Sequence, residues 1–340
     1  MKKILITGGL GFIGCNLADF FLQHGDEVII LDNFLRKGSE KNLSYLVDKY
    51  KKLEMESGDV RHINDISKVL EEKNIDVILH TAGQTAVTTS VINPQKDFEI
   101  NALGTFNVLE AARLSKNDPI IIFTSTNKVY GDNVNKIPLI EKKSRYEFSD
   151  EKFKHGIPED FPTDAEEHTP YGSSKYSGDI YTRDYSRIYG LKTVVFRMSC
   201  IYGFRQNGNE DQGWLAHFLI SAMNNKPITI FGDGKQVRDV LFISDFVELF
   251  DICLKKINKT RGQVYNIGGG HENTISLLEL LDLMKKWGLS PKHSFSDWRP
   301  ADQKVYVSDI RKVEKETGWK PKTNPDTGVR KLLEWAKETI

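Results

Sequence analysis

The strongest constraint on this chain lies near its start, where a glycine-rich turn joins a short apolar run to a helical pattern. Lys3–Thr7 is β-branched and apolar, and Thr7-Gly8-Gly9-Leu10-Gly11-Phe12-Ile13-Gly14 follows it directly. A helical stripe over 12–24, carrying Leu17, Phe20 and Phe21, opens inside that turn. The spacing Gly9-x-Gly11-x-x-Gly14 supplies a tight turn, bare backbone against which a pyrophosphate can press, and close helix–strand packing. Asp32 ends the next apolar run about 20 residues on, the spacing of a carboxylate that takes the ribose hydroxyls of a dinucleotide. Its charge repels a 2′-phosphate, so NAD is expected in preference to NADP, with Arg36 the one nearby residue arguing the other way.

Further apolar runs at 27–31, 53–56, 76–80, 120–124 and 193–197 alternate with helical stretches such as 63–73. That alternation predicts βαβ units and an α/β fold of the Rossmann type, a doubly wound parallel sheet. Beyond it, short strands at 228–231 and 264–267 mix with helices at 246–255 and 276–287, which reads as a smaller α/β lobe. The expected organisation is a dinucleotide-binding domain over 1–200, interrupted by an insertion at 133–169. A C-terminal substrate lobe over 201–340 follows, with some chain returning to the first domain. The insertion is charged, carries Pro138, Pro158 and Pro162, and has little periodicity, so a lid or disorder is expected there.

Composition removes several function classes. Lys plus Arg and Asp plus Glu both number 47, so no global field draws the chain to nucleic acid or anionic lipid, and phosphate binding must be local. Ile4-Leu5-Ile6 after the opening Met-Lys-Lys is too short for a signal-peptide core or a membrane span. Cys15, Cys200 and Cys253 are widely spaced and form no CxxC, which fits reduced thiols, and the histidines include no HExxH. A cytoplasmic, soluble protein without a metal site is expected.

Tyr171-Gly-Ser-Ser-Lys175 follows Pro170 at the start of a helical stretch, placing Tyr171 and Lys175 on one face with Cβ atoms roughly 5–6 Å apart. A lysine ammonium there, helped by a positive nicotinamide ring, is expected to lower the tyrosine pKa toward neutrality and make the phenolate a usable base. Thr124-Ser125-Thr126 ends the fifth run, at the sheet edge where ligands collect, and offers a hydroxyl to share the proton. Asp59, in Gly58-Asp59-Val60, fits either an adenine contact or a strand-end turn.

With the glycine fingerprint, Asp32, Thr126 and Tyr171/Lys175 in this order, the chain resembles the extended short-chain dehydrogenase/reductase superfamily, nucleotide-sugar epimerase branch, over essentially its whole length. The resemblance implies that Tyr171 is the acid/base, that Lys175 orients the nicotinamide ribose and that Thr126 bonds the reacting hydroxyl. It implies NAD contacts from Gly8, Gly11, Phe12, Ile13 and Gly14 in the turn, and from Asp32, Asn33, Asp59 and Val60. Ala82, Gly83 and Gln84 after the fourth strand, Asn101 on a helix, and Ser199 complete the implied cofactor set.

Phe231-Gly-Asp-Gly-Lys-Gln-Val-Arg238 and Arg299-Pro-Ala-Asp302 are similar to the family's diphosphate-binding segments, implicating Arg238 and Arg299. Dehydratases of the family carry Asp-Glu after the strand-end hydroxyl. Asn127-Lys128 stands here, so elimination lacks its acid and base and reversible oxidation remains the simplest chemistry. The polar loop Arg205-Gln206-x-Gly-Asn-Glu-Asp-Gln-Gly-Trp214 resembles the pocket of family members that epimerise a CDP-hexose, and Asn127, Arg205 and Gln206 are implied substrate contacts. The implied partner is a nucleotide-diphosphate sugar, with neither nucleic acid nor membrane. Paired helices over 94–114 and 173–189 imply a homo-oligomer, dimer or tetramer. A UDP-sugar 4-epimerase or a nucleotide-sugar reductase would use the same Thr126, Tyr171 and Lys175. A dinucleotide-sensing protein is the non-enzymatic alternative, against which the intact Tyr171/Lys175 pair argues.

Overall fold

The computed structural model of the protein describes residues 1–51, 53–208, 213–299 and 302–339. The apolar runs become a seven-stranded sheet: β1 (Lys3–Thr7), β2 (Glu27–Asp32), β3 (Glu54–Ser57), β4 (Val77–His80), β5 (Ile120–Thr126), β6 (Thr193–Met198) and β7 (Gln263–Ile267). Their spatial order is β7-β6-β5-β4-β1-β2-β3, and the β1–β2, β1–β4, β2–β3 and β4–β5 pairs are parallel. Ile4, Leu5, Ile6, Ile78, Leu79 and Ile122 are wholly buried, as strands covered by helices on both faces require. The chain leaves β1 for β2 on one side and returns to β4 on the other, which opens a crevice at the carboxyl ends of β1 and β4.

The helices that matter for the site are α1 (Phe12–Gln23), α2 (Ile63–Glu72), α3 (Gly104–Leu114), α4 (Pro170–Tyr189) and α5 (Ile243–Lys255). Ile66 and Val69 of α2, Val108 and Leu109 of α3 and Tyr185 of α4 join Leu5, Ile29, Ile78 and Ile121 in one core cluster. Immediately before α3 the chain makes one wide π turn, Glu99–Leu103, where the Thr105 hydroxyl donates to the Asn101 carbonyl at 2.6 Å. Single-turn π bulges are frequent at functional sites, and Asn101 lies buried in this one.

The chain divides into two units: residues 1–129, 170–197 and 247–264 in the first, residues 130–169, 198–246 and 265–340 in the second. Of the chain beyond residue 201, which was expected to return in part to the first domain, residues 247–264 belong to the first unit, and β7 takes the sheet edge beside β6. A short apolar strand carries no local mark of which sheet it will join. The insertion is not an irregular loop. Leu139–Glu141 and Tyr146–Phe148 form an antiparallel hairpin, and the Tyr146 amide donates to the Lys235 carbonyl at 3.0 Å. Tyr146, Leu139 and Phe148 pack on Val237, Val305 and Val307 within the second unit. Those few apolar residues find their partners far along the chain, which periodicity cannot register. No helix among the described residues is long and apolar enough to cross a membrane.

In the first unit one buried carboxylate ties three elements together. Asp179 of α4 accepts the Ser125 hydroxyl at 3.1 Å and the Arg197 Nε at 2.9 Å, and pairs with the Arg183 Nε at 2.8 Å. Removing it takes a bidentate counter-charge from the Arg197 guanidinium, which is 3% exposed. Asp179→Ala is expected to destabilise the protein by about 3–5 kcal/mol, read as a lowered urea midpoint; an unchanged midpoint would contradict the role given to this network.

Candidate active site

Each functional side chain stands at the end of a strand or on a buried helix face. Gly8 has φ +68°, and a Cβ there would lie 2.7 Å from the Ala82 backbone nitrogen. A Cβ on Gly14 would lie 2.4 Å from the Gly8 carbonyl oxygen. These two positions therefore exclude any side chain, and the turn presents bare backbone. No side chain caps α1 at Gly11, and its first turn holds no acidic residue, so the helix N-terminus is suited to an anion. Phe12, Ile13 and Gly14 open that helix.

Asp32 closes the far end of this cradle. Its Oδ2 accepts the Leu10 amide at 3.0 Å and its Oδ1 the Phe34 amide at 2.9 Å, which fixes the carboxylate at the mouth of β2 and leaves further lone pairs for hydroxyl donors. Asn33 donates to Asp59 at 2.9 Å, and Arg61 grips both oxygens of Asp59 at 3.0 and 2.8 Å. Burial alone would raise Asp59, but the Arg61 and Asn33 donors outweigh it and hold the carboxyl well below its usual range. Asp59 is thus a permanently charged strand-end clamp, with Val60 buried beside it.

Ala82, Gly83 and Gln84 line the β4 side. The Gln84 amide donates to Asn101 Oδ1 at 3.0 Å, and a Cβ on Gly83 would lie 3.1 Å from the same oxygen and 3.7 Å from Lys175 Nζ. Asn101 returns its amide to the Gln84 carbonyl at 3.0 Å and to Asp97 at 3.1 Å. Asp97 also takes the Ser174 hydroxyl and the Gln84 Nε2, the latter at 2.7 Å. This carboxylate, 1% exposed and raised by burial, is a residue that the sequence reading missed. Its position four residues before Asn101 was the available signal.

Thr126, Tyr171 and Lys175 come together. Tyr171 and Lys175 are buried on one face of α4, and Thr126 at the end of β5 hydrogen-bonds the Tyr171 hydroxyl. The electrostatics differ from expectation. Burial pushes Tyr171 up to about 12 against the opposing pull of the Thr126 hydrogen bond, and takes Lys175 down to about 7 against the pull of Asp97 and Asp179. The polypeptide alone therefore does not depress the tyrosine, because desolvation penalises the phenolate and the ammonium alike. Arg36 is not simply solvated: its Nη1 donates to the Thr85 hydroxyl at 3.2 Å, and its charge acts on both Tyr171 and Asp32.

In sheet order the loops carrying Arg36 and Thr85 follow β2 and β4, the two neighbours of β1. Asn127 is buried after Thr126, whose hydroxyl donates to its Oδ1 at 3.3 Å.

The remaining sequence-derived residues lie in the second unit. Ser199 gives its hydroxyl to Asp239 at 2.5 Å and its amide to the Ile267 carbonyl at 2.8 Å. Arg238 Nη2 bonds Asp302 at 2.6 Å and Nη1 the Val237 carbonyl at 2.8 Å, while the Arg299 guanidinium sits 4.0 Å above the centre of the Phe231 ring. Arg205 has φ +63°, and Gln206 donates to the Ile201 carbonyl at 3.2 Å, while its buried Oε1 meets no donor among the described residues. Asn209 to Gln212 of the polar loop, and Pro300 and Ala301 of the Arg299 motif, lie outside the described residues.

Comparison with known proteins decides the family. The model of the GDP-mannose 4,6-dehydratase family matches residues 5–332. The chain belongs to this family of extended short-chain dehydrogenases/reductases. Within the family it is 43% identical to the CDP-paratose 2-epimerase of Salmonella typhi, over 98% of each chain. It is 33% identical to a putative UDP-glucose 4-epimerase of Methanocaldococcus jannaschii, again over 98% of each. Among solved structures, the UDP-glucose 4-epimerase of Thermotoga maritima with UDP-glucose superposes with a TM-score of 0.85 at 27% identity, covering 99% of both chains. The UDP-glucuronic acid 4-epimerase of Bacillus cereus, in complex with UDP-glucuronic acid and NAD, gives 0.82 at 28% identity, covering 99% of this chain and all of that one (100%).

The depressed Lys175 makes a family-independent prediction. Unfolded, the lysine stays protonated up to its ordinary value of 10.5, whereas folded it loses its proton near 7, so between these values the unfolded state binds one more proton. Stability of the cofactor-free protein should therefore rise with pH through this window, by about 1.4 kcal/mol per unit from this group. Lys175→Met should remove that increment. Urea midpoints of the two proteins at pH 7 and pH 9 check it, and parallel shifts in both would contradict the buried-lysine account.

Proposed function

We propose that the protein is an NAD-dependent epimerase that inverts C2 of a CDP-hexose, interconverting CDP-paratose and CDP-tyvelose through a transient 2-keto sugar. The observation that carries the reaction type is the Tyr171–Thr126 hydrogen bond with Lys175 one turn along the same buried helix face. The 43% identity to CDP-paratose 2-epimerase supports the choice of sugar and carbon. Asn127-Lys128 supports epimerisation over dehydration, since neither residue is a carboxylic acid that could protonate a leaving hydroxyl.

The cradle fits NAD. Backbone of Gly8, Gly11, Phe12 and Ile13 would take the pyrophosphate and Asp32 the adenosine ribose, with Arg36 near the phosphates. When bound, NAD supplies a reversible hydride acceptor and the positive charge that the polypeptide itself does not bring to Tyr171. A sugar C2 next to a C1 phosphate ester has no carbonyl to acidify its hydrogen, so direct deprotonation is prohibitive and oxidation is needed first. Tyr171 Oη accepts the proton of the C2 hydroxyl, and the Thr126 hydroxyl, already bonded to it, shares that proton. The same tyrosine returns the proton after the ketone has turned. Lys175 holds the nicotinamide ribose, and Arg238 and Arg299 of the second unit bind the diphosphate as charge-assisted donors.

Cytoplasmic placement accords with the free thiols of Cys15 and Cys253, both buried. A homodimer accords with the apolar side chains left at the surface: Phe98 and Leu103 around the π turn, and Ile180 and Tyr181 on α4, are 57%, 36%, 38% and 46% exposed. Sedimentation equilibrium at micromolar protein should give twice the chain mass.

Purified protein incubated with CDP-, UDP-, GDP- and dTDP-hexoses, followed by NMR, should invert C2 of CDP-paratose alone; turnover confined to a UDP-sugar at C4 would replace this reading. Tyr171→Phe should keep the fold and bound NAD yet slow turnover by roughly 10²–10⁴-fold. Arg238→Ala should raise KM strongly with NAD occupancy intact. Unchanged kinetics in Arg238→Ala and Arg299→Ala would move the diphosphate elsewhere.

A further inference from the structure

The ammonium of Lys175 is buried, and its Nζ stands 4.4 Å from the centre of the Phe123 ring on β5. The carboxylates that act on it are both engaged elsewhere. Asp97 takes Ser174, Gln84 and Asn101, and Asp179 takes Ser125, Arg183 and Arg197. The ring is held rigidly. A Cβ on Gly178 would approach its Cζ to 3.1 Å, so α4 lies directly on it, and His80 stacks on it at 5.4 Å with 24° between planes.

The His80 imidazole is fixed in one neutral tautomer. Thr105 spends its only proton on the Asn101 carbonyl, so it must accept from His80 Nε2 at 3.1 Å. His80 Nδ1 is then an acceptor for the Thr7 hydroxyl at 2.7 Å. Burial, with the nearby lysine, holds His80 down at about 3, so the imidazole itself brings no charge to the ring.

We infer that Phe123 is a positioning residue for Lys175: its ring face, stacked on the neutral His80 imidazole, holds the buried ammonium in place of the water it has lost. A desolvated cation over an aromatic face is attracted by the ring quadrupole. The proposal rests on the reading of Lys175 as the catalytic lysine and gives that lysine its support. The charged and titratable groups acting with the ammonium are Asp97 from the helix before the π turn, Asp179 from α4 and His80 from β4, while Asp97 and Arg36 act on Tyr171.

The test titrates the lysine itself. In the full chain carrying ¹³Cε-lysine, at one fixed cofactor state, the Lys175 resonance is assigned by its loss in Lys175→Met and followed with pH. Mono-, di- and trifluorophenylalanine at position 123 weaken the quadrupole in steps at nearly constant volume. The lysine pKa should fall stepwise, by roughly one unit at the trifluoro ring, with Phe123→Leu falling likewise and Phe123→Tyr matching wild type. The fluorinated series keeps the test alive if Phe123→Leu fails to fold. No trend along the series would overturn the inference. Because the readout needs no sugar, inactivity toward CDP-hexoses would overturn the proposed reaction and leave this result standing.

Discussion

The site depends on putting a lysine and a tyrosine, each of which prefers water, into the dry space between α4 and the carboxyl ends of β4 and β5. Desolvation moves the two groups in opposite directions, Tyr171 up to about 12 and Lys175 down to about 7, so that each favours its neutral form. Much of the surrounding architecture follows from keeping that pair in register. Gly178 lets α4 touch the Phe123 ring, and Gly83 leaves room for the Asn101 side-chain oxygen. Asp97, Asn101, Gln84 and Ser174 bond one another into a polar shelf that satisfies buried groups the pair alone would strand. A pair so poised is inert until a positive charge and a substrate hydroxyl arrive, which suits a cofactor retained through a reaction with no net redox change.

The π turn at Glu99–Leu103 has a matching role on the opposite side of the space. The Asn101 carbonyl within it accepts the Thr105 hydroxyl, and Thr105 in turn locks His80. Local irregularity is thus linked through a single hydrogen-bond chain to Thr7, the last residue of β1 before the glycine turn. The glycine turn and, through the Asn101 bond to Ser174, α4 of the first unit share one polar spine.

The legible part of this protein was the part written in short-range pattern. Gly8, Gly11, Gly14 and Asp32 could be read because phosphate and ribose recognition needs them at fixed spacing along one βαβ unit. Tyr171 and Lys175 could be read because a helix turn sets their separation. What escaped had its cause elsewhere in the chain. Asp97 looks like any acidic residue of a first helical turn until Gln84, Asn101 and Ser174 surround it. The hairpin within 133–169 is held by Val237, Val305 and Val307, about a hundred residues or more away, and β7 joins a sheet whose other strands precede it. The upward push of burial on Tyr171 in the cofactor-free protein was equally illegible: spacing locates a neighbouring charge but does not measure burial.

In the proposed reaction the sugar carbon is oxidised and reduced in place by groups that exclude exchange with water. The most direct measurement of this follows the hydrogen at C2 of CDP-paratose during turnover in deuterium oxide, with the product analysed by NMR and mass spectrometry. The account predicts that CDP-tyvelose keeps its original protium at C2 and gains no mass. Deuterium at C2 would contradict it, showing that the carbon itself loses a proton to solvent and that Tyr171 does not serve a hydride transfer.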